Sequence, residues 1–520
     1  MSAAAPMPEP RAGAYAWYVL AVLFLVYVLN FIDRQILAIL ADDIKRDLDL
    51  SDGDIGFLYG TAFGIFYALF GIPLGRLADS WRRVRLMSLG LALWSAMTAL
   101  SGFARTGTML TAARIGVGVG EATASPAAYS LISDWFPKRL RATALAIYSS
   151  GIYIGGGLSL FIGGLIVKNW DQAWPAHSGP LGLAGWQAAF LAVGAPGLLV
   201  AILVATLREP LRGQSEGLLA PPHPAPFKGF LEELLTIIPP LTLIGAARNG
   251  VGALAANIAV MALVAAAVAG LVLGLGEPLM QWAAVGVGVY AVYSWAAALR
   301  RRDKPTFALI VGSKAFLAVV IAYGLNAFLA YSVAAFAPSF ARRAFALGPA
   351  EVGLWVGLPA ALAGFLGVTI GGRIADRLRE RFPGGRVLVV LFGGIAPVAP
   401  MVMAFTADTP TMFFVMIPLT QFLASAALGA AAATTQDLVL PRMRGTATAA
   451  FFIGTTLIGL ALGPYLAGRI SHLTGDLATG VLALLVTVPV ALIAGVTAWR
   501  LVPAAEAGKQ ERARGLGEPI

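Results

Sequence analysis

Long apolar runs separated by short charged segments dominate the sequence. Six runs occur in the first part of the chain, at about 17–40, 55–77, 86–104, 108–134, 140–168 and 184–207. Six more occur in the last part, at about 315–341, 351–376, 385–406, 410–438, 444–473 and 478–501. Because about 20 predominantly apolar residues cross a bilayer as one helix, the pattern predicts an all-α integral membrane protein with two groups of six transmembrane helices.

The middle of the chain is too apolar for a plain linker. Apolar residues share one helical face near its start, at Phe227, Phe230, Leu231, Leu234, Leu235 and Ile238. This face predicts an amphipathic helix on the membrane surface; the alternative is a helix packed on a soluble lid. Two further runs, at about 250–273 and 279–299, can each span the membrane, so we expect about 14 transmembrane helices. The predicted parts are a tail (1–14), a six-helix bundle (15–209), a linker with two extra helices (210–304), a second bundle (305–502) and a tail (503–520).

The two groups of six runs repeat each other. The sequence from Gly75 to Asp79, after the second run, matches that from Gly372 to Asp376 at the equivalent position of the second group. The stretches that begin at Phe136 and Leu440 also match, with a one-residue gap. Parallel repeats of six helices are typical of transporters that rock one half against the other around a central site.

The distribution of positive charge predicts the orientation. The chain carries a net charge of +10, yet only 12% of its residues are charged and 58% are hydrophobic, against about 25% charged in soluble domains. The segment after the first run is acidic, whereas the segments after the second and fourth runs are basic, with Arg76, Arg82, Arg83, Arg85, Lys138, Arg139 and Arg141. By the positive-inside rule, both termini are expected to be cytoplasmic, in a cell (inner or plasma) membrane. The net positive charge is therefore explained by the orientation of the protein in the membrane, and no nucleic-acid partner is expected.

Few residues could support covalent or metal chemistry. The chain has no cysteine and three histidines, His177, His223 and His472, which fall in predicted loops or at a helix end. No disulfide, thiolate nucleophile or metal site is therefore expected, and no catalytic residue is assigned. The sequence also lacks the G-x-x-x-x-G-K-[ST] phosphate-binding loop, so transport is expected to be secondary, with protons as the candidate coupling ion and no cofactor.

Charged residues inside two of the runs predict a polar cavity. Asn30, Asp33 and Arg34 lie on one side of the first helix, within a run where each charge costs roughly 2.5–3.5 kcal/mol on insertion scales. Arg114 and Glu121 share a face of the fourth helix, which runs the opposite way. From their depth in the membrane, an arginine of one helix can face the glutamate of the other.

Two interpretations of this charged group remain open. The first is a proton-linked switch, in which an anionic substrate takes Arg34 and favours protonation of Glu121, with Asp33 able to share the proton. The alternative is a static ion pair that fixes helix packing. The second half offers uncharged polar candidates, Asn326, Tyr331, Gln421, Thr455 and Thr456. A cavity with one charged and one apolar wall suits a small amphiphile, and its predicted lining is Asn30, Asp33, Arg34, Arg114, Glu121, Tyr331 and Gln421.

A second group of charges lies at the cytoplasmic ends of the predicted helices. Asp79, Arg83, Arg141 and Asp376 are candidates for a cytoplasmic gate, because an aspartate near a helix N-terminus of the other half would be stabilised by the helix dipole in one state. The alternative is that they are topology signals on solvated loops.

Several motifs resemble the major facilitator superfamily. The loop Gly75-x-Leu77-Ala78-Asp79 is similar to the family signature between helices 2 and 3, although Arg82 replaces its later glycine. The stretch from Arg114 to Glu121 is similar to the helix-4 motif of an arginine followed by glycines. The resemblance implies two pseudo-symmetric six-helix bundles, here with two inserted helices.

More narrowly, the chain resembles the spinster-like branch. The similarity rests on Asn30-Phe31-x-Asp33-Arg34, Gly118-x-Gly120-Glu121-Ala122, Ser133-Asp134-x-Phe136-Pro137, Gly185-Trp186-x-x-Ala189-Phe190 and Arg208-Glu209-Pro210. It covers about residues 15–210 and 305–500. It implies transport of lysophospholipids, sphingosine 1-phosphate or related amphiphiles, with proton coupling in some members, so membrane lipids and a small amphiphile are the expected partners of a monomeric protein. The alternatives are a proton-coupled drug or organic-anion antiporter of the same fold and, more remotely, an intramembrane lipid enzyme.

Overall fold

The computed structural model describes residues 13–175, 178–212 and 224–518, and within these ranges the secondary structure is helical. The first group of six spans corresponds to helices α1 to α6, of which α4 has two pieces. Their bounds are α1 Ala14–Leu48, α2 Asp52–Ser80, α3 Arg83–Ser101, α4 Gly107–Glu121 continued by Ala124–Trp135, α5 Lys138–Ala173 and α6 Gly185–Ala205.

The insert contains four main helices, and the second group of spans follows it. The insert helices are α7 Pro226–Ile237, α8 Leu241–Arg248, α9 Val251–Gly274 and α10 Leu279–Arg302, followed by the short α11 Lys304–Leu309. The second group is α12 Lys314–Phe345, α13 Pro349–Arg381, α14 Gly385–Phe405, α15 Pro410–Asp437, α16 Pro441–Thr474 and α17 Leu477–Ala507, and α18 Lys509–Arg514 ends the described chain.

Thirteen of these helices are long and apolar enough to cross a membrane. The helix α4 is not among the thirteen, because it is interrupted at Ala122 and Thr123 and its pieces have 15 and 12 residues. With α4 the arrangement is six spans, two inserted spans and six spans, as the sequence predicts. We call the side on which α1 begins and α17 ends the terminal side, and the opposite side the far side.

Two helices extend beyond the apolar runs that predict them. The acidic segment from Asp42 to Asp47 forms the last turns of α1, in which Leu40 and Ile44 are fully buried. The last helix continues to Ala507, whereas its apolar run ends at about 501. His177, His223 and residues 1–12 of the predicted N-terminal tail lie outside the described residues.

The insert packs against both halves of the molecule. Helix α7 forms where the amphipathic pattern predicts it, and α8 follows at an angle of 100°. In α10, Gly288 faces Ile65 of α2 and Leu457 of α16, so closely that a Cβ atom there would lie 2.7 Å from the Leu457 side chain. Trp295 of α10 belongs to the same buried cluster. The second inserted span therefore covers the junction of the two halves along α2 and α16.

The two halves are in close contact toward the far side. A Cβ atom on Gly60 of α2 would lie 2.1 Å from the carbonyl oxygen of Leu460 in α16, and one on Gly56 would lie 2.2 Å from that of Pro464. Small residues permit this approach of helix backbones in membrane proteins. Further along α2, on the terminal side, Gly71 has open space around it.

Equivalent ion pairs support the internal repeat. Arg83 at the start of α3 bonds Asp134 near the end of α4, and Arg386 at the start of α14 bonds Asp437 at the end of α15. Both pairs join residues 51 positions apart in the sequence. Such recurrence at matching helix ends is what two structurally equivalent halves require.

Candidate functional site

A buried ion pair between α1 and α4 forms the centre of the candidate site. Arg34 donates from Nη2 to Glu121 Oε2 at 2.7 Å and from Nε to the same oxygen at 3.2 Å. The Arg34 side chain is 9% exposed and that of Glu121 is not exposed. The pairing predicted from the depth of the two residues is therefore confirmed, and only one carboxylate oxygen of Glu121 is used.

Asn30 is a further neighbour of Glu121. Asn30 is buried and lies beside the glutamate. Neither Glu121 Oε1 nor Asn30 Nδ2 has a partner in hydrogen-bond geometry among the residues that the structure describes. Because unsatisfied buried polar atoms are costly, Oε1 is the oxygen of Glu121 that is left for a further hydrogen bond or a proton.

Aromatic rings surround the guanidinium group of Arg34. Its Cζ lies 4.7 Å from the ring centroid of Phe31, 4.5 Å from that of Phe63 and 4.8 Å from that of Tyr67. We call these three residues the aromatic cage. Cation–π contacts are worth about 2 kcal/mol or more when desolvated, so the cage offsets part of the cost of burying Arg34.

Close helix packing positions the cage. Phe63 and Tyr67 lie one turn apart on α2 and their rings stack at 5.5 Å, as expected for residues four apart on a helix. Gly118 of α4 faces the backbone of α2: a Cβ atom at this position would lie 2.5 Å from the Phe63 carbonyl oxygen. The glycine thus brings α4, with Glu121 on it, against the helix that carries two of the three cage residues, Phe63 and Tyr67.

Asp33 and Arg114 form a second polar group behind the cage. Arg114 is fully buried, lies 5.4 Å from the Phe63 centroid and donates to the backbone carbonyl of Asp33 at 3.2 Å. The Asp33 side chain faces Trp94 and Thr98 of α3. Phe63 therefore contacts two guanidinium groups, and the Asp33 side chain faces α3 while remaining within electrostatic range of Glu121.

The two predicted residues of the second half have different surroundings. Tyr331 of α12 lies within electrostatic range of Arg34 and Tyr67. Gln421 of α15 lies beside Gly364 of α13, next to Tyr153 of α5. Within the described chain, no contact joins Gln421 to the Arg34–Glu121 pair. Tyr331 is thus the residue that brings the second half to the site.

Three of the four candidate gate residues bond partners within their own halves. Arg83 is fully buried, donates to Glu209 at 2.8 Å and bonds Asp134, while Arg141 donates to the Ser133 carbonyl at 3.0 Å. Asp79 is exposed, and Asp376 accepts from Arg386 at 2.8 Å. The role of these residues in a gate stays a prediction.

The far side holds an ion-pair cluster that the sequence did not reveal. Arg343 near the end of α12 bonds Asp42 of α1 and Asp52 of α2, and Arg342 bonds Asp43. We call these contacts the far-side latch. Their partners are about 300 positions apart, and no local pattern predicts such pairs. The aromatic cage did have a signal, because Phe31 lies three residues before Arg34 and Phe63 lies four before Tyr67.

Comparison with known proteins places the chain among transporters. The sequence profile of the Major Facilitator Superfamily matches residues 23–329 and 319–520. The chain is 29% identical over 488 residues to a protein of Mycolicibacterium smegmatis named MFS-type efflux pump, covering 93% of this chain and 92% of that protein. It is 29% identical over 478 residues to protein spinster homolog 1 of Bos taurus, covering 88% of this chain and 74% of the relative.

A solved structure shares the fold. It is a bacterial homologue of the human lysosomal transporter spinster in an inward-facing and occupied conformation. The two chains are 25% identical, with a TM-score of 0.65, and the alignment covers 97% of this chain and 96% of the other. The superfamily fold and the spinster-like resemblance expected from the motifs are therefore confirmed.

Proposed function

The chain belongs to the major facilitator superfamily, and on this basis we propose that it carries an anionic amphiphile, a lysolipid or sphingolipid-like molecule, across the membrane by alternating access coupled to protons. We propose that the protein lies in an inner or plasma membrane with its terminal side facing the cytoplasm, and that it works as a monomer.

The observation that carries the proposal is the single-oxygen pairing of Arg34 and Glu121 inside the aromatic cage. An anionic headgroup competes with Glu121 for the guanidinium group of Arg34, since charge-assisted hydrogen bonds to a phosphate are strong. Once Arg34 turns to the substrate, Glu121 is a buried carboxylate without its cation, which is costly. Protonation at the unpartnered Oε1 removes that charge, so substrate binding and proton uptake are linked.

The surroundings of Arg34 favour a substrate with an apolar part. The rings of Phe31, Phe63 and Tyr67 place apolar surface within 5 Å of the charge. A molecule whose charged head reaches Arg34 also contacts these rings and the half-buried Tyr331. A small, fully hydrated anion gains little from them, because apolar contact stabilises in proportion to the apolar area removed from water.

The contacts between the halves support alternating access. The far-side latch and the approach of Gly60 to Leu460 join the halves on the far side. On the terminal side, Asp79, Arg83 and Asp376 make no ion pair between the two halves within the described ranges. In this arrangement the central site is closed toward the far side, and a substrate would enter or leave it from the terminal side.

The test is ligand-dependent thermal stabilisation of the purified protein. Lysophospholipids and sphingoid phosphates are compared with their soluble headgroups, with uncharged long-chain alcohols and with drug-like cations. We expect stabilisation only by molecules that have both an anionic head and a long tail, and its loss in Arg34→Ala. Arg373→Ala, an exposed arginine at the terminal end of α13, is the matched control for detergent-like effects.

The second candidate is a proton-coupled drug or organic-anion antiporter. It is favoured by the similarity, along most of the chain, to the mycobacterial protein named an efflux pump. Stabilisation by drugs or short organic anions, without dependence on an acyl tail, would support this function and contradict the lipid proposal.

A further inference from the structure

A polar pocket lies in the insert, apart from the Arg34–Glu121 pair. Its volume is about 150 Å³, and it opens between the surface helices α7 and α8, the start of α9 and the end of α10. Helix α9 begins and α10 ends on the terminal side, so the pocket lies at the level of the lipid headgroups of that side. No residue of the two six-helix halves lines it.

The floor of the pocket is a hydrogen-bonded polar group inside an apolar hairpin. The Thr242 and Tyr290 hydroxyls lie 3.1 Å apart, and Tyr290 donates to Asn257 Oδ1 at 3.4 Å. All three residues are buried. Asn257 is six residues into α9, roughly 9 Å from its first turn, so the polar floor lies below the membrane surface. Polar groups at that depth cost free energy and are typical of functional sites in membrane proteins.

The rim of the pocket carries a positive charge that the described protein does not neutralise. Arg248 at the end of α8 and Arg301 at the end of α10 both line it and are exposed. Neither makes an ion pair within residues 13–175, 178–212 and 224–518, whereas the adjacent Arg302 bonds Glu233 at 2.7 Å. Glu232 is the one carboxylate of the lining. Two guanidinium groups and one carboxylate leave a positive pocket.

We propose that this pocket binds the headgroup of an anionic phospholipid from the terminal-side leaflet. Guanidinium groups bind phosphate with paired hydrogen bonds, and basic pockets between membrane helices on the cytoplasmic side recognise anionic headgroups. The hydroxyls of Thr242 and Ser294 at the floor complement a hydroxylated headgroup such as glycerol. The acyl chains lie along α9, which is buried over only 6% of its most apolar stretch.

The experiment measures lipid retention by the full-length protein. The parent is reconstituted in nanodiscs of phosphatidylcholine, alone or mixed with phosphatidylglycerol, and the lipids that stay bound after detergent extraction are identified by native mass spectrometry. We expect the parent to retain phosphatidylglycerol in preference to phosphatidylcholine. In Arg248→Gln/Arg301→Gln, affinity falls by roughly thirtyfold, from the contribution of two arginines near an anionic surface.

Two comparisons keep the result specific. Arg377→Gln/Arg381→Gln removes the same charge from exposed positions near the terminal end of α13 and should retain lipid like the parent. Arg248→Lys/Arg301→Lys keeps the charge and serves as the test if the glutamine variant does not fold. This lysine variant should lose part of the preference for phosphatidylglycerol, because lysine does not bond phosphate in a bidentate manner. Equal retention by all variants, or equal retention of phosphatidylcholine, overturns the proposal. Competition by free glycerol phosphate at equal concentration would show a site for soluble phosphates and overturn the assignment to a lipid.

Discussion

Arg343 binds both carboxylate oxygens of Asp52 across the junction of the two halves. Its Nη1 donates to Oδ2 at 2.9 Å and its Nη2 to Oδ1 at 2.8 Å. Lys45 of α1 and the Ser471 hydroxyl of α16 also donate to Asp52, each at 2.8 Å. One buried aspartate therefore joins helices of both halves on the far side, and the state in which the far side is closed depends on its charge.

Substitution of Asp52 by asparagine is expected to open the far side. Because Arg343 is partly exposed, loss of its charged partner is expected to cost about 1.5–3 kcal/mol, as for hydrogen bonds to charged groups, which is comparable to the few kcal/mol that separate conformational states. Because the chain has no cysteine, spin labels on cysteines introduced at Asp49 and Ala346 report the distance between the halves. We expect a longer distance component in Asp52→Asn.

The control for this variant lies two residues away. Asp54 accepts hydrogen bonds from the backbone and hydroxyl of Ser51 within its own turn, so Asp54→Asn removes the same charge without touching the second half. An unchanged distance distribution in both variants would show that the far-side latch does not hold this state.

Two glycines of α2 give a matched test of the contact between the halves. Gly60→Ala is expected to lower the unfolding free energy by about 1–3 kcal/mol, because its Cβ would lie 2.1 Å from the Leu460 carbonyl oxygen. Gly71→Ala has open space and is expected to raise stability by up to about 1 kcal/mol. Thermal unfolding in one detergent compares them, and shifts of the same sign would contradict the packing.

The fold and the central ion pair were predictable from the sequence for physical reasons. The cost of exposing backbone to lipid forces apolar runs into helices, so the runs give the spans and even the inserted hairpin. Arg34 and Glu121 lie on helices that run in opposite directions, and a buried charge at such a depth requires a partner of opposite charge. The orientation of Asp33 was not predictable, because helical spacing places it beside Arg34 whereas packing turns its side chain toward α3.

Other features depend on contacts that the sequence does not encode locally. The last turns of α1 carry many aspartates, and several of their partners lie far away in the sequence: Arg342 bonds Asp43, Arg343 bonds Asp42 and Trp186 donates to Asp47. Arg83 resembles a solvated loop residue, yet Asp134 and Glu209 hold it inside the first half. Both cases require partners whose position depends on the complete fold.

The aromatic cage is expected to stabilise the protein through the charge of Arg34. Tyr67→Leu removes one ring face and should lower the unfolding free energy by about 1 kcal/mol through the lost cation–π contact, with weaker binding of the anionic amphiphile. Tyr67→Phe keeps the ring and should behave like the parent. Thermal unfolding and ligand titration of both variants check this. A Tyr67→Phe variant as weak as Tyr67→Leu would assign the effect to the hydroxyl instead.

The contact between the insert and the second half should be insensitive to pH near neutrality. Asp303 accepts from Arg442 at 2.6 Å and from the Thr306 backbone at 3.0 Å. Burial opposes its ionisation, but these hydrogen bonds outweigh that effect and lower the pKa of Asp303 to about 2 from 3.8. A lowered pKa stabilises the folded state above pH 4, and this contribution disappears as the pH falls from about 4 through 2.

The measurement for this prediction is the difference in thermal stability between the parent and Asp303→Asn across pH. The difference should be constant from neutral pH down to about 5 and vanish between about 4 and 2. A difference that changes between pH 8 and 6 would mean that a group other than Asp303 controls this contact.

The most direct test of the proposed coupling is transport by Glu121→Gln in proteoliposomes under an imposed pH gradient, with an anionic amphiphile that stabilises the parent as substrate. Glu380→Gln, an exposed glutamate near the terminal end of α13, is the control for loss of a negative charge. We predict that the parent and Glu380→Gln respond to the gradient, while Glu121→Gln still binds the amphiphile but transports it at a rate that does not change with the gradient. If Glu121→Gln transports as the parent does and responds equally to the gradient, the coupling of Arg34 and Glu121 to proton movement is contradicted.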